Sequence, residues 1–502
     1  MFVILTNCDI ILSEVRRASC CKDSHLAVEI DDNVPLALYL IKLLGVIMNE
    51  KKLIYPRKLS GFMELSPSRQ MLFDDMVEKI RKVYKNSAFM PLDTPVLEYS
   101  EILMAKSGGS IDKEVYAFKK GDTDICMRYD LTVPLARYVA MNANDIAFPF
   151  KRYQIGKVYR GEKAQKGRFR EFYQCDADIV GLDNLPITAD GEILEIVDKV
   201  FKALNLKIVN HISNRNILFG YIESLGLSQN ASDILTILDK IDKIGKENAL
   251  IELSVFIPDS NQCQKLIDLT LMRGSFDSVL EKIKGICTNE TYEKGVRELE
   301  EIRSYLKATN VSENNYILDI GVIRGQNYYT GTVFEAKMPE HPEFSTVCGG
   351  GRYDNLASYY TDKKMPGVGL SIGLTRLFDL LDSSGLLPEV KPTNVKVQIL
   401  PMGNDYLITA LKLKTYLGNS IISEVNYEER NFKSKMKEAN RKQIPYVIII
   451  GEEEQQTDRY TLKNMTTGEQ ALLSKEECKF ILQKSKRIQN KSFGEYLKEY
   501  KR

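Results

Sequence analysis

Lys151-Arg152-Tyr153-Gln154-Ile155-Gly156-Lys157-Val158-Tyr159-Arg160-Gly161-Glu162 leads into Lys166-Gly167-Arg168-Phe169-Arg170-Glu171-Phe172-Tyr173-Gln174, and these residues decide the fold. Two runs rich in β-branched and aromatic residues flank a polar, cationic loop, so the spacing predicts strand, loop and strand, the second strand spanning Phe172 to Val180. That geometry would bring Arg160 and Glu162 beside the loop's Arg168 and Arg170. Guanidinium forks match phosphate oxygens, Phe172 can stack on a base, and Glu162 can accept from an exocyclic amine. The stretch reads as a nucleotide site without a Walker loop. Charge alone favours a surface loop of ion pairs, each worth little.

Working outward, Ser66-Pro67 resembles an N-cap followed by proline at the first helical position. Met71, Leu72, Met76, Ile80, Val83 and Tyr84 then recur at helical spacing until Asn86-Ser87. Ile125 to Tyr129 reads as a strand. From Ala189 to Arg303 the texture is helical, as in Ile193 to Leu204 and Glu293 to Leu306, which suggests a helical insertion. Strand-like sequence returns at Tyr316 to Ile323, Tyr328 to Lys337 and around Val347. Three further clusters could carry chemistry. Arg324-Gly325-Gln326-Asn327-Tyr328-Tyr329 offers a fixed positive charge and two phenols, or simply a turn with core tyrosines. Cys348-Gly349-Gly350-Gly351-Arg352-Tyr353 lets backbone pass close to a ligand, or marks a turn. Gly367-Val368-Gly369-Leu370-Ser371-Ile372-Gly373 lacks dinucleotide-loop spacing, but Arg376, opening a helix after it, could meet a terminal phosphate. Beyond a linker at 381–394, strands and helices alternate: Val395 to Leu400, Tyr406 to Leu417, Phe432 to Lys442, Tyr446 to Ile450 and Arg459 to Met465. That order predicts a small α/β domain with a mostly parallel sheet. From Lys484 to Arg502 seven basic residues face two acidic ones, which reads as a basic tail.

Length and composition narrow the classes. The 502 residues suggest about three domains. Hydrophobic residues at 44% and charged residues at 27% are those of a globular chain rather than a disordered or membrane-embedded one. With 69 basic against 68 acidic residues, a uniformly basic nucleic-acid binder is excluded, whereas a local cationic patch is not. Nine scattered cysteines without a CxxC argue for a reducing compartment, hence the cytoplasm. Three distant histidines leave no dedicated metal cluster. The longest apolar run, Val34 to Met48, contains Lys42 and is shorter than the ~20 residues of a spanning helix, so no membrane role is expected. A signal peptide lacks its basic start, and Asp9, Glu14 and Asp23 interrupt any transit peptide.

Taken together and in this order, the motifs resemble the histidyl-tRNA synthetases, a family of class II aminoacyl-tRNA synthetases, over about residues 58 to 475. Arg128-Tyr129-Asp130-Leu131-Thr132-Val133-Pro134 is similar to the family's histidine-binding strand. Arg160 to Gln174 is similar to motif 2, Arg324 to Tyr329 to the histidine signature and Gly369 to Arg376 to motif 3. The helix from Ser66 would be the dimer-forming motif 1. The resemblance implies an α+β catalytic domain with an antiparallel sheet in two parts, 58–188 and 311–388. Between them falls the helical insertion, 189–310. An α/β anticodon-binding domain at 393–484, including Lys463 and Gly468-Glu469-Gln470, and the tail at 485–502 would follow; residues 1–57 receive no role.

The resemblance also implies a histidine–tRNA ligase that uses ATP and Mg²⁺, acts as a homodimer and binds L-histidine and the histidine tRNA. Asp130 would hold the α-amino group, with Gln174 and Asp178 completing the histidine pocket and Tyr328, Tyr329 and Tyr353 around the imidazole. Arg160 would bind the α-phosphate, Glu162 and Phe172 the adenine, Arg168 and Arg376 the outer phosphates. Arg324 would approach the reacting carboxylate, which makes Arg160 and Arg324 the catalytic pair. Departures from the family pattern are Gln326-Asn327, Gly61-Phe62-Met63-Glu64 and Thr375. A non-catalytic regulatory paralogue is the competing reading; it would lack the C-terminal α/β domain and the ATP arginines. A class II enzyme for proline, threonine or glycine would lack the Arg324 to Tyr329 signature.

Overall fold

The computed structural model describes residues 54–105, 114–165, 167–323, 329–390, 392–485 and 491–501. The chain divides into two units at Leu59 and Ser60. Residues 54–59 of the first carry no regular element; the remainder of the extension read at 1–57, with its apolar run at 34–48, lies outside the described residues.

From Ser60 onward the early strands are β1 (Met90–Pro91), β2 (Leu97–Tyr99), β3 (Ala117–Lys120), β4 (Thr123–Met127), β5 (Phe150–Tyr159) and β6 (Glu171–Val180). They are followed by β7 (Val209–Asn214), β8 (Arg273–Gly274), β9 (Tyr316–Asp319), β10 (Thr332–Lys337), β11 (Thr346–Tyr353) and β12 (Gly367–Gly373). One large sheet has the order β1-β5-β6-β12-β11-β10-β7-β9-β8, and β2-β4-β3 form a small one. From β5 through β7 every neighbouring pair of the large sheet is antiparallel, with β1 and β9 added in parallel. The expected antiparallel catalytic sheet is present.

Alternation along the strands gives this sheet two chemically different faces. On β12, Val368, Leu370 and Ile372 are buried in the main core, as are Cys175, Ala177 and Ile179 of β6. The opposite positions are Gly369, Ser371 and Gly373 on β12 and Gln174, Asp176 and Asp178 on β6. The apolar face is covered by helices Pro67–Asn86 and Thr188–Ala203. In the first, the Ser66 hydroxyl accepts from the Arg69 N–H (3.4 Å) and Pro67 stands at the first turn. Its Phe73, Met76, Ile80 and Tyr84 are buried at helical spacing, and the Tyr84 hydroxyl donates to the Cys175 carbonyl (3.0 Å). Each such apolar side chain stabilises the layer by about 1.5–3 kcal/mol.

Four expectations are corrected here. Segment 189–310 is not a purely helical insertion: β7 pairs with β10 and β9 inside the large sheet, and β8 closes its edge. The strand Val209-Asn210-His211-Ile212-Ser213-Asn214 is short and half polar, so the long helices around it dominate the pattern. The glycines at 349–351 lie within strand β11 rather than in a turn. A side chain at Gly350 would meet the Gly369 carbonyl at 2.0 Å, so close strand packing explains that glycine.

The third correction concerns the C-terminal sheet. It holds β13 (Val397–Pro401), β14 (Ser423–Val425), β15 (Tyr446–Ile450), β16 (Arg459–Asn464) and β17 (Gln470–Ser474), in the order β14-β13-β15-β16-β17. It is mixed rather than mostly parallel: β13 runs parallel to β14 and β15, whereas β15, β16 and β17 are antiparallel. Helix Glu452–Thr457 is too short for a parallel crossover. The stretch read as a basic tail also has a structural part. Helix Phe493–Tyr500 buries Phe493 and Tyr496 in the C-terminal core with Cys478, Ile481 and Leu482. Among the described residues no helix is long and apolar enough to cross a membrane.

Candidate active site

A cavity of about 360 Å³ opens on the polar face of β6, β12 and β11. Glycines at 349, 351, 369 and 373 line it, and their lack of side chains creates the space. A Cβ at Gly369 would stand 2.1 Å from Asp178 Oδ1, and one at Gly351 would meet the Tyr329 ring at 2.8 Å.

One end is built from carboxylates, an amide and phenols. Asp130 lies on the turn between β4 and helix Thr132–Met141, not on a strand as the motif suggested. Its Oδ1 accepts the N–H groups of Thr132 (3.1 Å) and Val133 (2.9 Å), so a polar residue at the helix entry both starts the helix and faces the cavity. Burial raises the Asp130 pKa against the pull of the Val133 N–H and Arg160. Asp178 accepts from the Tyr353 hydroxyl (2.8 Å) and pairs with Arg152 Nη2 at 2.9 Å. The Arg152 guanidinium is fully buried and also donates to the Leu131 carbonyl (3.0 Å). Burial pushes Asp178 up while Arg152 holds it down; burial also pushes Tyr353 well up, with Asp178 adding to it. Gln174 Nε2 donates to Ser371 Oγ at 2.6 Å.

The other end is cationic. The Arg160 guanidinium lies 4.3 Å from the Tyr129 ring centroid and 5.1 Å from that of Phe172. Arg168 pairs with Glu162 (3.2 Å), and Arg170 Nε donates to the Glu162 carbonyl (3.0 Å), so the loop folds back as its spacing implied. Arg376 enters from helix Leu374–Ser383 and donates to Ser345 Oγ. Burial lowers its pKa and Arg168 adds to this. Its Nε is buried without a hydrogen-bond partner among the described residues. Two neighbouring guanidiniums with an unfilled donor suit an anion.

Asp130, Arg160, Glu162, Arg168, Phe172, Gln174, Asp178, Tyr329, Tyr353 and Arg376 thus line a single cavity. Arg324 and Tyr328, with Gln326 and Asn327, lie outside the described residues. Among the described residues no group of three or more His, Cys, Asp or Glu side chains could hold a metal. Sequence reasoning passed over Thr132 and Ser371, which line the cavity, and the buried Arg152 and Asp176 beneath it. The signal for Asp176 was available: polar residues at every second position from Gln174 to Asp178. One departure finds a local reason. Thr375 Oγ1 accepts the Tyr173 N–H (2.8 Å), tying helix Leu374–Ser383 to β6. Gly61 and Phe62 dock on the start of β6.

A cavity with an arginine-lined end on the open face of an antiparallel sheet, followed by a mixed C-terminal α/β domain, is the architecture of a class II aminoacyl-tRNA synthetase. Within that class the chain belongs to the histidyl-tRNA synthetase family, whose model matches residues 61–377, with an anticodon binding domain matched at 396–485. The histidine–tRNA ligases of Clostridium tetani and Clostridium acetobutylicum are each 43% identical to it over 433 residues, covering 86% of this chain and 98% and 100% of theirs. The crystal structure of histidyl-tRNA synthetase from Nostoc sp. PCC 7120 superposes with a TM-score of 0.77 at 35% identity, covering 85% of this chain and 99% of that one. A Bacillus halodurans structure described as an ATP phosphoribosyltransferase regulatory subunit/histidyl-tRNA synthetase shares the fold at 19% identity and a TM-score of 0.66, over 77% and 97% of the two chains.

Proposed function

We propose that this cavity is where a histidine–tRNA ligase activates its amino acid. The observation that carries the reading is the division of one cavity into an acceptor-rich end and a cationic end. Histidine, with its ammonium and ring N–H groups, suits Asp130, Gln174 and Asp178, with Tyr329 and Tyr353 beside the ring. ATP suits Arg160 at its α-phosphate, Glu162 and Phe172 at adenine, and Arg168 and Arg376 at the outer phosphates. The histidine carboxylate then attacks the α-phosphorus in line and pyrophosphate leaves, giving histidyl-adenylate. A hydroxyl of the terminal tRNA ribose next attacks the activated carbonyl and AMP leaves.

The protein's part is positioning and charge. Arg160 is held by its two aromatic neighbours, so little reorganisation is needed when charge gathers on the phosphoryl oxygens. Removing such a donor costs on the order of 2.7–4 kcal/mol of transition-state stabilisation. Arg324 is proposed as the second cation at the reacting carboxylate, with Tyr328 beside the ring. Mg²⁺ would be held chiefly by the ATP phosphates and would lessen repulsion there.

The C-terminal domain would take the anticodon. Homodimer formation is supported by exposed apolar residues on the small sheet, Leu97, Tyr99 and Phe118. The described cysteines are free, which fits a reducing cytoplasm. Amino-acid-dependent ATP–pyrophosphate exchange tests the reading, run with all twenty amino acids and with Arg324→Ala as control. Exchange with histidine alone, lost in the control, is expected; exchange with another amino acid instead would overturn the assignment.

A further inference from the structure

Arg152 and Asp178 are register partners on β5 and β6, so their side chains leave the same face of the sheet. Asp178 lines the cavity, whereas Arg152 does not and is fully buried behind it. The Arg152 Nη2 lies between two groups, Asp178 Oδ2 at 2.9 Å and the Leu131 carbonyl at 3.0 Å. The first contact is a charge pair, the second a hydrogen bond. Leu131 follows Asp130 in the turn whose N–H groups bind the Asp130 carboxylate. One cation thus touches β6 and the turn after β4, the two elements that bring carboxylates to the acceptor end. The other groups around Asp178 are not cationic. Its Oδ1 takes the Tyr353 hydroxyl from β11, β12 presents Gly369 opposite it, and Asp130 and Asp176 are buried carboxylates.

We infer that Arg152 is a positioning residue: from behind the cavity it fixes the Asp178 carboxylate, and the turn bearing Asp130, in the places where both accept from the amino-acid substrate. This role rests on reading this end of the cavity as the histidine pocket. Without Arg152, a carboxylate already buried beside two others would have no cation paired with it. Such a group takes up a proton more readily, and a protonated Asp178 is a weaker acceptor for a substrate N–H. The Leu131 carbonyl would lose its donor at the same time, which frees the turn that sets Asp130.

The test uses the full chain with Arg152→Met and Arg152→Lys, read as histidine KM, ATP KM and kcat in pyrophosphate exchange between about pH 8 and 6. Arg152→Met is expected to raise histidine KM about tenfold or more at neutral pH, with ATP KM within about twofold. Its histidine KM, taken as a ratio to wild type so that the titration of histidine itself cancels, should climb further as pH falls, because the unpaired Asp178 then takes up its proton. Arg152→Lys keeps the charge and should return that profile to the wild-type form. Histidine KM unchanged in Arg152→Met would overturn the role while leaving the histidine reading intact. So would histidine and ATP KM rising together by a factor independent of pH, or a lysine variant that follows the methionine one. Arg152→Gln, which keeps an N–H for the Leu131 carbonyl but no charge, repeats the measurement should the methionine variant fold poorly. Wild-type protein giving no exchange with histidine overturns the histidine reading and the role of Arg152 with it.

Discussion

Gly369→Ala tests whether the Asp178 carboxylate governs amino-acid binding. Gly369 faces Asp178 across the β6–β12 pair. The new methyl would lie 2.1 Å from Asp178 Oδ1 and 2.6 Å from Cγ, against ordinary contact beginning near 3.4 Å. The carboxylate must therefore retreat by roughly 1.3 Å, the difference between 3.4 and 2.1 Å. It is held in place by the Tyr353 hydroxyl at 2.8 Å and Arg152 at 2.9 Å, and a shift of that size breaks both contacts. The nearest backbone atom, the Ala177 carbonyl at 3.1 Å, needs to yield only slightly, so the strand pairing should survive. Misplacing a positioning group by about 1 Å can cost on the order of 100-fold in rate, or about 2.7 kcal/mol. Pyrophosphate exchange should show kcat/KM for histidine down by about that factor, ATP KM unchanged, and a urea midpoint close to wild type. Gly350→Ala is the contrast. There the obstacle is the Gly369 carbonyl at 2.0 Å, which cannot swing aside, so loss of folded protein is expected. Gly369→Ala retaining kcat/KM within about threefold would refute the reasoning, because the carboxylate could then move without consequence.

Tyr353→Phe removes the hydrogen bond to Asp178; bonds to charged groups contribute about 1.5–3 kcal/mol, so histidine KM should rise at least tenfold in exchange assays, and an unchanged KM would sink the assignment. Burial pushes the Asp176 carboxyl up to about 7, so between about pH 4 and 7 the folded chain keeps a proton that the unfolded chain has released. Wild-type stability should therefore fall as pH rises through that window; Asp176→Asn should flatten the slope in urea unfolding, and parallel curves would contradict the shift. Phe493→Ala should destabilise the C-terminal domain by about 3–5 kcal/mol while leaving histidine-dependent exchange intact. Thermal unfolding that did not change would mean the last helix is not part of that core.

Local chemistry made much of the molecule readable in advance. Ser66-Pro67 marked a helix start, the cationic loop between Arg160 and Phe172 marked a strand–loop–strand, and Arg376 was placed after a glycine-rich strand. Each signal lies within about a dozen residues, where spacing alone constrains geometry. Asp130 lines the cavity but from a different element than the expected strand, because a capping aspartate and a strand-end aspartate look alike until the next turn forms. The tail was misread because Phe493 and Tyr496 sit among lysines, and composition cannot say which face meets a core. Strand β7 was hidden for a related reason: its partners β9 and β10 begin more than 100 residues later.

By itself, then, the sequence determined the class of chemistry: guanidinium groups, carboxylates and aromatics at motif spacing specify a cationic end and an acceptor end. Tertiary structure alone decided how they share one cavity. Gln174 meets Ser371 across 197 positions of chain, Asp178 meets Tyr353 across 175, and Arg352 meets Asp190 across 162. Strand register sets these partnerships, and register follows from which face of each strand the core buries.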